Sequence, residues 1–187
     1  MKEFAKIESA RDVVAFLKEQ HQQIKSLFSR VLTTRGKQRQ QAFFDLRRLI
    51  AVHETAEEEI VHPAAKRARG VGEAVVAARL REENEGKKTL TELEGLHTES
   101  AEFETLFREF EKAVLAHANA EEVQEFDKLA NEFSENELER MRKAVEFAES
   151  VSPTRPHAGL ESAAANRLIG PFAMLVDRAR DALSKHP

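Results

Sequence analysis

Four stretches of the chain repeat apolar residues at intervals of three and four positions, with little glycine or proline to interrupt them. That spacing lines up apolar side chains along one side of an α-helix, so it predicts amphipathic helices that share a core. A capping box at Ser9–Asp12 precedes the first predicted helix. The four predicted helices span about 13–33, 38–67, 72–93 and the stretch from 101 onwards. Because the whole chain holds only 7 glycines and 5 prolines in 187 residues, sandwiches and barrels are disfavoured.

Short connections between long helices favour antiparallel neighbours. We therefore predict an all-α fold, an up-down-up-down four-helix bundle with additional C-terminal helices. Residues 1–133 would form the bundle and residues 134–187 a helical extension packed on it. A capping box at Ser134 opens the extension with a helix to about Glu149, and a last amphipathic helix is expected over about 160–183.

Composition removes several classes of function. Cysteine is absent, which excludes a disulfide scaffold, a cysteine zinc site, an iron–sulfur cluster and a thiol nucleophile. The net charge of −4 is mixed along the chain, so no nucleic-acid surface is expected. Since no apolar run is long enough for a membrane span and the start lacks a signal-peptide core, we expect a cytoplasmic protein without a membrane partner.

Polar residues occupy positions in all four apolar stripes where core residues belong. Histidine and glutamate are costly to bury unless they have partners, and a metal ion is one partner that several of them can share. A histidine and a glutamate four residues apart project from one helix face and can reach the same ion. The predicted metal ligands are, in chain order, His21, His53, Glu57, Glu83, His117 and Glu121.

The His-x-x-x-Glu spacing is weak on its own, since a third such pair, His157 and Glu161, lies outside the four stripes. A single histidine on an apolar stripe is more often a hydrogen-bonded core residue than a ligand. The acidic runs at 57–59 and 121–122 are also typical of solvated faces. A metal-free interaction bundle therefore stays open as an alternative.

The remaining histidines receive smaller roles. His62 falls on another helical face than His53 and is interpreted as a surface or packing residue. His157 could fold back over the bundle as a plug or outer ligand, whereas His97 and His186 receive no role. Pro63 is expected to kink or end the second helix. Two glutamates beside the expected ligands are candidates for holding the ligand histidines, Glu54 and Glu58.

The chain resembles the hemerythrin-like HHE cation-binding family over about residues 10–130. The matching segments are EQHQQIKSLF around His21, HETAEEEIVHP from His53, EENEGKKTLTELE around Glu83 and HANAEEVQEFDKL from His117. The resemblance implies a four-helix bundle with a non-haem centre of two iron ions, oxo- or hydroxo-bridged. Family members bind or sense dioxygen, or handle iron, peroxide or nitric oxide. The two histidine–glutamate pairs match the family's terminal histidines and carboxylates.

The sequence departs from the family pattern in its third helix. The family usually carries a histidine there, and aligning Lys87, Leu90 and Leu93 places Glu83 at that position. Three carboxylates favour the ferric state, so we expect a centre that reacts with a small oxidant, most readily peroxide in a catalase-like reaction. Whether the protein is an enzyme stays open. The alternatives are a protein that senses or binds dioxygen, nitric oxide or iron without turnover, and the metal-free bundle.

Overall fold

The computed structural model describes residues 11–152 and residue 154, and these form five helices without a β-strand. The all-helical fold predicted from the sequence is confirmed. Helices α2 and α4 each contain a π-helical turn, so they are given as three consecutive segments. The helices are α1 (Val13–Thr33), α2 (Gly36–Ala56, Glu57–Val61 and His62–Ala65), α3 (Glu73–Glu94), α4 (Ala101–Glu121, Glu122–Phe126 and Asp127–Glu132) and α5 (Glu135–Val151).

Side-chain caps fix several helix starts. Asp12 accepts the Ala15 N–H at 2.9 Å and begins α1, while Ser9, the start of the expected capping box, lies outside the described residues. Ser100 caps α4 through the Phe103 N–H. At α5 the predicted capping box is present, and the Glu137 carboxylate accepts the Ser134 N–H at 2.9 Å.

Two large apolar clusters and a smaller one hold the described helices together. One fills the end of the bundle where α1 and α2 are joined, and it contains Phe28, Phe43, Phe103, Phe107 and Phe110. The other joins α5 to the start of α1, where Leu138, Val145 and Ala148 are buried among residues that include Val13 and Leu17. Helix α5 thus packs on α1 and α2. The last predicted helix and His157 lie outside the described residues, and the division at residue 133 stays a prediction.

The two π-helical turns lie beside the histidine–glutamate pairs of α2 and α4. In α2 the His62 N–H bonds to the Glu57 carbonyl, five residues back instead of four. Pro63 was expected to kink or end this helix about one turn before the break at Arg69-Gly70, and α2 ends at Ala65, two residues after Pro63. Pro63 lies in the first turn of the segment that follows the π-helical turn, a position where its missing N–H is tolerated. Within the described part of the chain, no helix is long and apolar enough to cross a membrane.

Glu149 provides a test of the packing of α5. Its carboxylate accepts a hydrogen bond from Gln20 Nε2 at 2.8 Å, and burial raises its pKa from about 4.5 to about 7. The folded state therefore binds this proton more tightly than the unfolded state. The resulting stability is fully present below about pH 4.5 and is lost as the pH rises through about 7.

We predict that Glu149→Gln raises the Tm of the metal-free protein by roughly 2–6 °C at pH 8 and leaves it nearly unchanged at pH 4. The amide keeps an acceptor for Gln20 and removes the buried charge. Circular dichroism melts at the two pH values measure the effect. Glu139→Gln is the control, because Glu139 is exposed and paired with Lys143. An equal shift at both pH values, or a lower Tm at pH 8, would contradict the assignment.

Candidate metal centre

The first group of buried polar side chains joins α1, α2 and α4. It consists of His21, His53, Glu57 and Glu121, and one ligand atom from each lies within 4.8 Å of the others. The Nε2 atoms of His21 and His53 are 3.1 Å apart. Glu57 Oε2 lies 3.2 Å from His53 Nε2, and Glu121 Oε2 lies 3.5 Å from His21 Nε2. All four side chains are buried, so this group has the composition and the compactness of a metal site.

A second group lies beside the first and shares Glu121 with it. It contains His62, Glu83 and Glu121. His62 Nε2 is 2.5 Å from Glu83 Oε1 and 4.0 Å from Glu121 Oε1. His117 Nε2 borders this group, 3.2 Å from Glu121 Oε1 and 3.9 Å from Glu83 Oε1. One oxygen of Glu121 thus faces each group, which is the geometry of a carboxylate that bridges two ions.

Each of the four histidines forms a hydrogen bond through Nδ1, while its Nε2 faces the centre. An Nδ1–H that donates to an oxygen leaves the lone pair of Nε2 directed toward the centre, which is the form of imidazole that binds metals. The four distances from Nδ1 to oxygen lie between 2.8 and 2.9 Å. The pairs are His21 with Glu122, His53 with Gln20, His62 with Glu125, and His117 with Glu82.

The side chains expected to hold the histidines were therefore identified wrongly. Glu58 is paired with Lys87, and Glu54 has a buried Oε2 without a hydrogen-bond partner. Burial raises the pKa of Glu54 to about 8 and that of Glu58 to about 7, while the Lys87 ammonium opposes both shifts. Three of the actual partners are neighbours of predicted ligands in the sequence, namely Gln20 before His21, Glu82 before Glu83 and Glu122 after Glu121, and the fourth is Glu125. Acidic runs usually mark a solvated face, so the sequence offered only this weak signal.

Several buried atoms at the centre lack a hydrogen-bond partner. They are both oxygens of Glu57, both oxygens of Glu121, Oε2 of Glu83 and Nε2 of His117. Leaving so many buried polar atoms unsatisfied is expensive, on the order of 1–3 kcal/mol for each group. Cations placed among them would satisfy every one. Imidazole nitrogens together with carboxylate oxygens suit iron, manganese or zinc, so the residues present fit a metal centre.

The electrostatics of the centre point the same way. Burial, and then the neighbouring Glu121 and Glu83, raise the pKa of Glu57 well above its usual range. Burial, and then the His21 imidazole, lower the pKa of His53 to about 3. Burial opposes protonation of His62 and His117, but the carboxylates that face them raise the pKa of both well above its usual range. Without a cation, the centre therefore retains protons on Glu57, His62 and His117 and keeps His53 neutral. A metal ion would replace the proton on Glu57 and find the His53 imidazole already in its binding form.

His62 is the residue that the sequence interpretation placed wrongly. It was expected on another face as a surface or packing residue, but only 2% of it is exposed and its ring lies in the centre. In a regular α-helix, residue 62 would point about 140° away from residue 57. Because the π-helical turn bonds the His62 N–H to the Glu57 carbonyl, the two residues lie above one another on the same face.

The structure brings all six predicted ligands together around this centre, and it adds His62 to them. His117 is the most accessible, with 12% of its side chain exposed. His97 is not part of the centre. It lies in the connector after α3, where it is exposed and accepts the Glu99 N–H. That the six residues bind metal stays a prediction.

Comparison with known proteins places the fold and the sequence of this chain in one family. The chain is similar in fold to a solved hemerythrin HHE cation-binding domain-containing protein from Mycobacterium kansasii, with a TM-score of 0.63 and 19% identity, over 74% of this chain and 85% of that one. No curated protein matches the chain significantly. The sequence profile of the hemerythrin HHE cation-binding domain matches residues 12–129, which is most of the chain and contains every residue of the centre. The chain therefore belongs to the hemerythrin HHE cation-binding domain family.

Proposed function

We propose that this protein holds two iron ions and reacts with a small oxidant, with peroxide as the favoured substrate. The observation that carries the proposal is Glu121, whose two unpartnered oxygens each face a separate group of imidazoles and carboxylates. One ion would be held by His21, His53, Glu57 and Glu121, and the other by Glu121 with His62, Glu83 and His117. Membership of a cation-binding family supports the metal, while the choice of iron belongs to the proposal.

The balance of ligands favours peroxide over reversible dioxygen binding. Bound iron supplies exchange of electrons with the oxidant. Glu83 adds a hard anionic donor where the family usually has an imidazole, and anionic oxygen donors stabilise the ferric state. A catalase-like reaction converts two molecules of hydrogen peroxide into two of water and one of dioxygen, so it needs no external reductant.

The surrounding residues would position the oxidant and its protons. A groove between α3 and α4 reaches Glu83 and His117, and Glu54 also lines it. Oε2 of Glu54 has no hydrogen-bond partner. This carboxyl group is therefore placed to hold a proton of peroxide during the reaction. On the side of His21 and His53, buried apolar residues, among them Ile24 and Ile50, line the centre.

Sensing without turnover is the second candidate function, and one chain of hydrogen bonds favours it. Gln20 accepts from His53 and donates to Glu149, so a ligand histidine is connected to α5. A change at the centre could reach α5 by this route. A cytoplasmic location stays a prediction under either function.

We predict that the purified protein binds about two iron ions for each chain and that iron raises its Tm by more than 5 °C, on the order of what binding to the folded state alone gives. Metal analysis and melts of iron-loaded and chelator-treated samples measure both. Because the chain has no tryptophan or tyrosine, a ferric-oxo absorption band would stand out clearly. Superimposable melts from verified metal-free and iron-loaded samples would contradict the proposal.

We predict that iron-loaded protein releases one dioxygen for every two peroxides consumed, and that Glu83→His lowers this turnover on the order of tenfold while keeping two irons. An imidazole at position 83 stabilises the ferrous state, which favours dioxygen binding over peroxide consumption. An oxygen electrode and the spectrum after reduction and exposure to air measure the shift. Unchanged turnover in the variant would remove the argument for peroxide, and absence of turnover in the parent protein would leave the sensing function.

We predict that His62→Ala lowers the iron content from two toward one for each chain, and that adding Glu83→His to this variant restores it. The physical reason is that His62 Nε2 and Glu83 Oε1 lie 2.5 Å apart, so an imidazole from α3 can reach the place of the one removed from α2. His97→Ala is the control, because that residue lies in the exposed connector. Two irons in a folded His62→Ala protein would exclude His62 as a ligand.

A further inference from the structure

A groove between α3 and α4 leads to the candidate metal centre. Its volume is about 620 Å³, and it reaches Glu83, His117 and Glu54. A molecule the size of water occupies about 30 Å³ in a liquid, and peroxide is not much larger. Pockets of several hundred Å³ are typical of sites that bind organic molecules. The groove is therefore far larger than access for peroxide or dioxygen requires.

The apolar wall of the groove is built mainly from residues with small side chains. It is formed by Ala78, Gly86, Ala113, Ala116 and Ala120, together with Leu106, Phe110 and Val114. Small side chains on two facing helices leave open space between them. The width of the groove thus follows from the choice of residues in α3 and α4.

Gly86 is a position where the sequence, and not the backbone conformation, determines the open space. It lies in the middle of α3 with ordinary helical geometry, where glycine is a poor helix former. A Cβ added there would meet Glu54 Oε1 and Phe110 Cε2 only at 3.8 Å, which is ordinary van der Waals contact. Neither the backbone nor the packing requires glycine at this position, and what glycine contributes is open volume.

The charges along the groove select against charged ligands. Acidic residues outnumber basic ones, which disfavours an anion. The buried Arg79 guanidinium donates to Glu82 through Nη2 at 2.8 Å, while its Nε and Nη1 have no hydrogen-bond partner. An organic cation would have to leave water for a wall that is mostly apolar and that contains this guanidinium, and burying a charge without its own partner is costly. The unpartnered nitrogens of Arg79 and the unpartnered Oε2 of Glu54 each suit an uncharged hydrogen-bonding group such as a hydroxyl. The charged residues that line the groove are Glu54, Arg79, Arg81, Glu82, Glu83, Glu85 and Glu109.

We propose that this groove is a binding site for an elongated, uncharged, mostly apolar organic molecule with one polar group, such as a long-chain alcohol. Such a molecule would lie along Leu106, Phe110 and Val114, next to the metal centre. The inference extends the proposed function by naming the class of molecule that the centre admits besides peroxide. Binding in the groove does not itself require iron, so the two proposals fail independently.

The test uses 1-octanol, octanoate and octylamine as competitors of a neutral fluorescent probe, N-phenyl-1-naphthylamine, with the full chain in metal-free and iron-loaded forms. Since the chain contains no tryptophan or tyrosine, its own fluorescence does not interfere. We expect octanol to displace the probe saturably and to bind at least tenfold more tightly than octanoate or octylamine. Equal or tighter binding of either charged compound, or absence of saturable displacement by octanol, would overturn the proposal.

Variants localise the binding to the groove. Gly86→Leu and Ala113→Leu fill it from α3 and from α4, and each should weaken octanol binding at least tenfold while the iron content stays unchanged. Lys88→Leu is the matched control, because Lys88 is 53% exposed on α3 and does not line the groove. Unchanged octanol affinity in either folded groove variant would overturn the proposal. Loss of iron binding with octanol binding intact would instead contradict the proposed function alone.

Discussion

The structure depends on how it compensates three carboxylates buried together between the helices. Glu57, Glu83 and Glu121 are at most 1% exposed, and most of their oxygens lack a hydrogen-bond donor. Burying an isolated carboxylate costs several kcal/mol of desolvation free energy, and apolar packing around it does not offset this cost. A proton on Glu57 compensates the charge in part, as its raised pKa indicates. Burial opposes the charged form of Glu121, but the His117 and His21 imidazoles stabilise it and hold its pKa well below its usual range. Two divalent or trivalent cations would compensate it fully, and this constraint accounts for the arrangement of the histidines around the carboxylates.

The helices are adapted to this centre at the level of the backbone. Regular α-helices would turn His62 away from Glu57, and the π-helical turn after Glu57 corrects the direction. A second π-helical turn, Glu122–Phe126, follows Glu121 in α4, and its last residue, Phe126, stacks on the His21 ring. The oxygen partners at Nδ1 then fix the rotation of each imidazole. The directions of the candidate ligands are thus determined by local helix geometry and by a surrounding layer of hydrogen bonds.

The sequence predicted the parts of this structure that depend on periodicity. The apolar stripes located the bundle helices, and the capping box at Ser134 located the start of α5. The same stripes identified the six candidate ligands, since each interrupts a row of core residues. The α-helical period gave the wrong direction for His62, because the π-helical turn before this residue has more residues per turn. It also gave no information about Glu82, which is 44% exposed on its side chain and resembles a surface residue until its bond to His117 is seen.

The central claim is that two ions share the Glu121 carboxylate, and crystallography with anomalous scattering at the iron absorption edge tests it most directly. The account predicts two iron peaks about 3.5–4 Å apart, one beside His21 and His53 and the other beside His62 and His117. Glu121 would contribute one oxygen to each ion. A single peak in fully loaded protein, or peaks away from Glu121, would contradict the account.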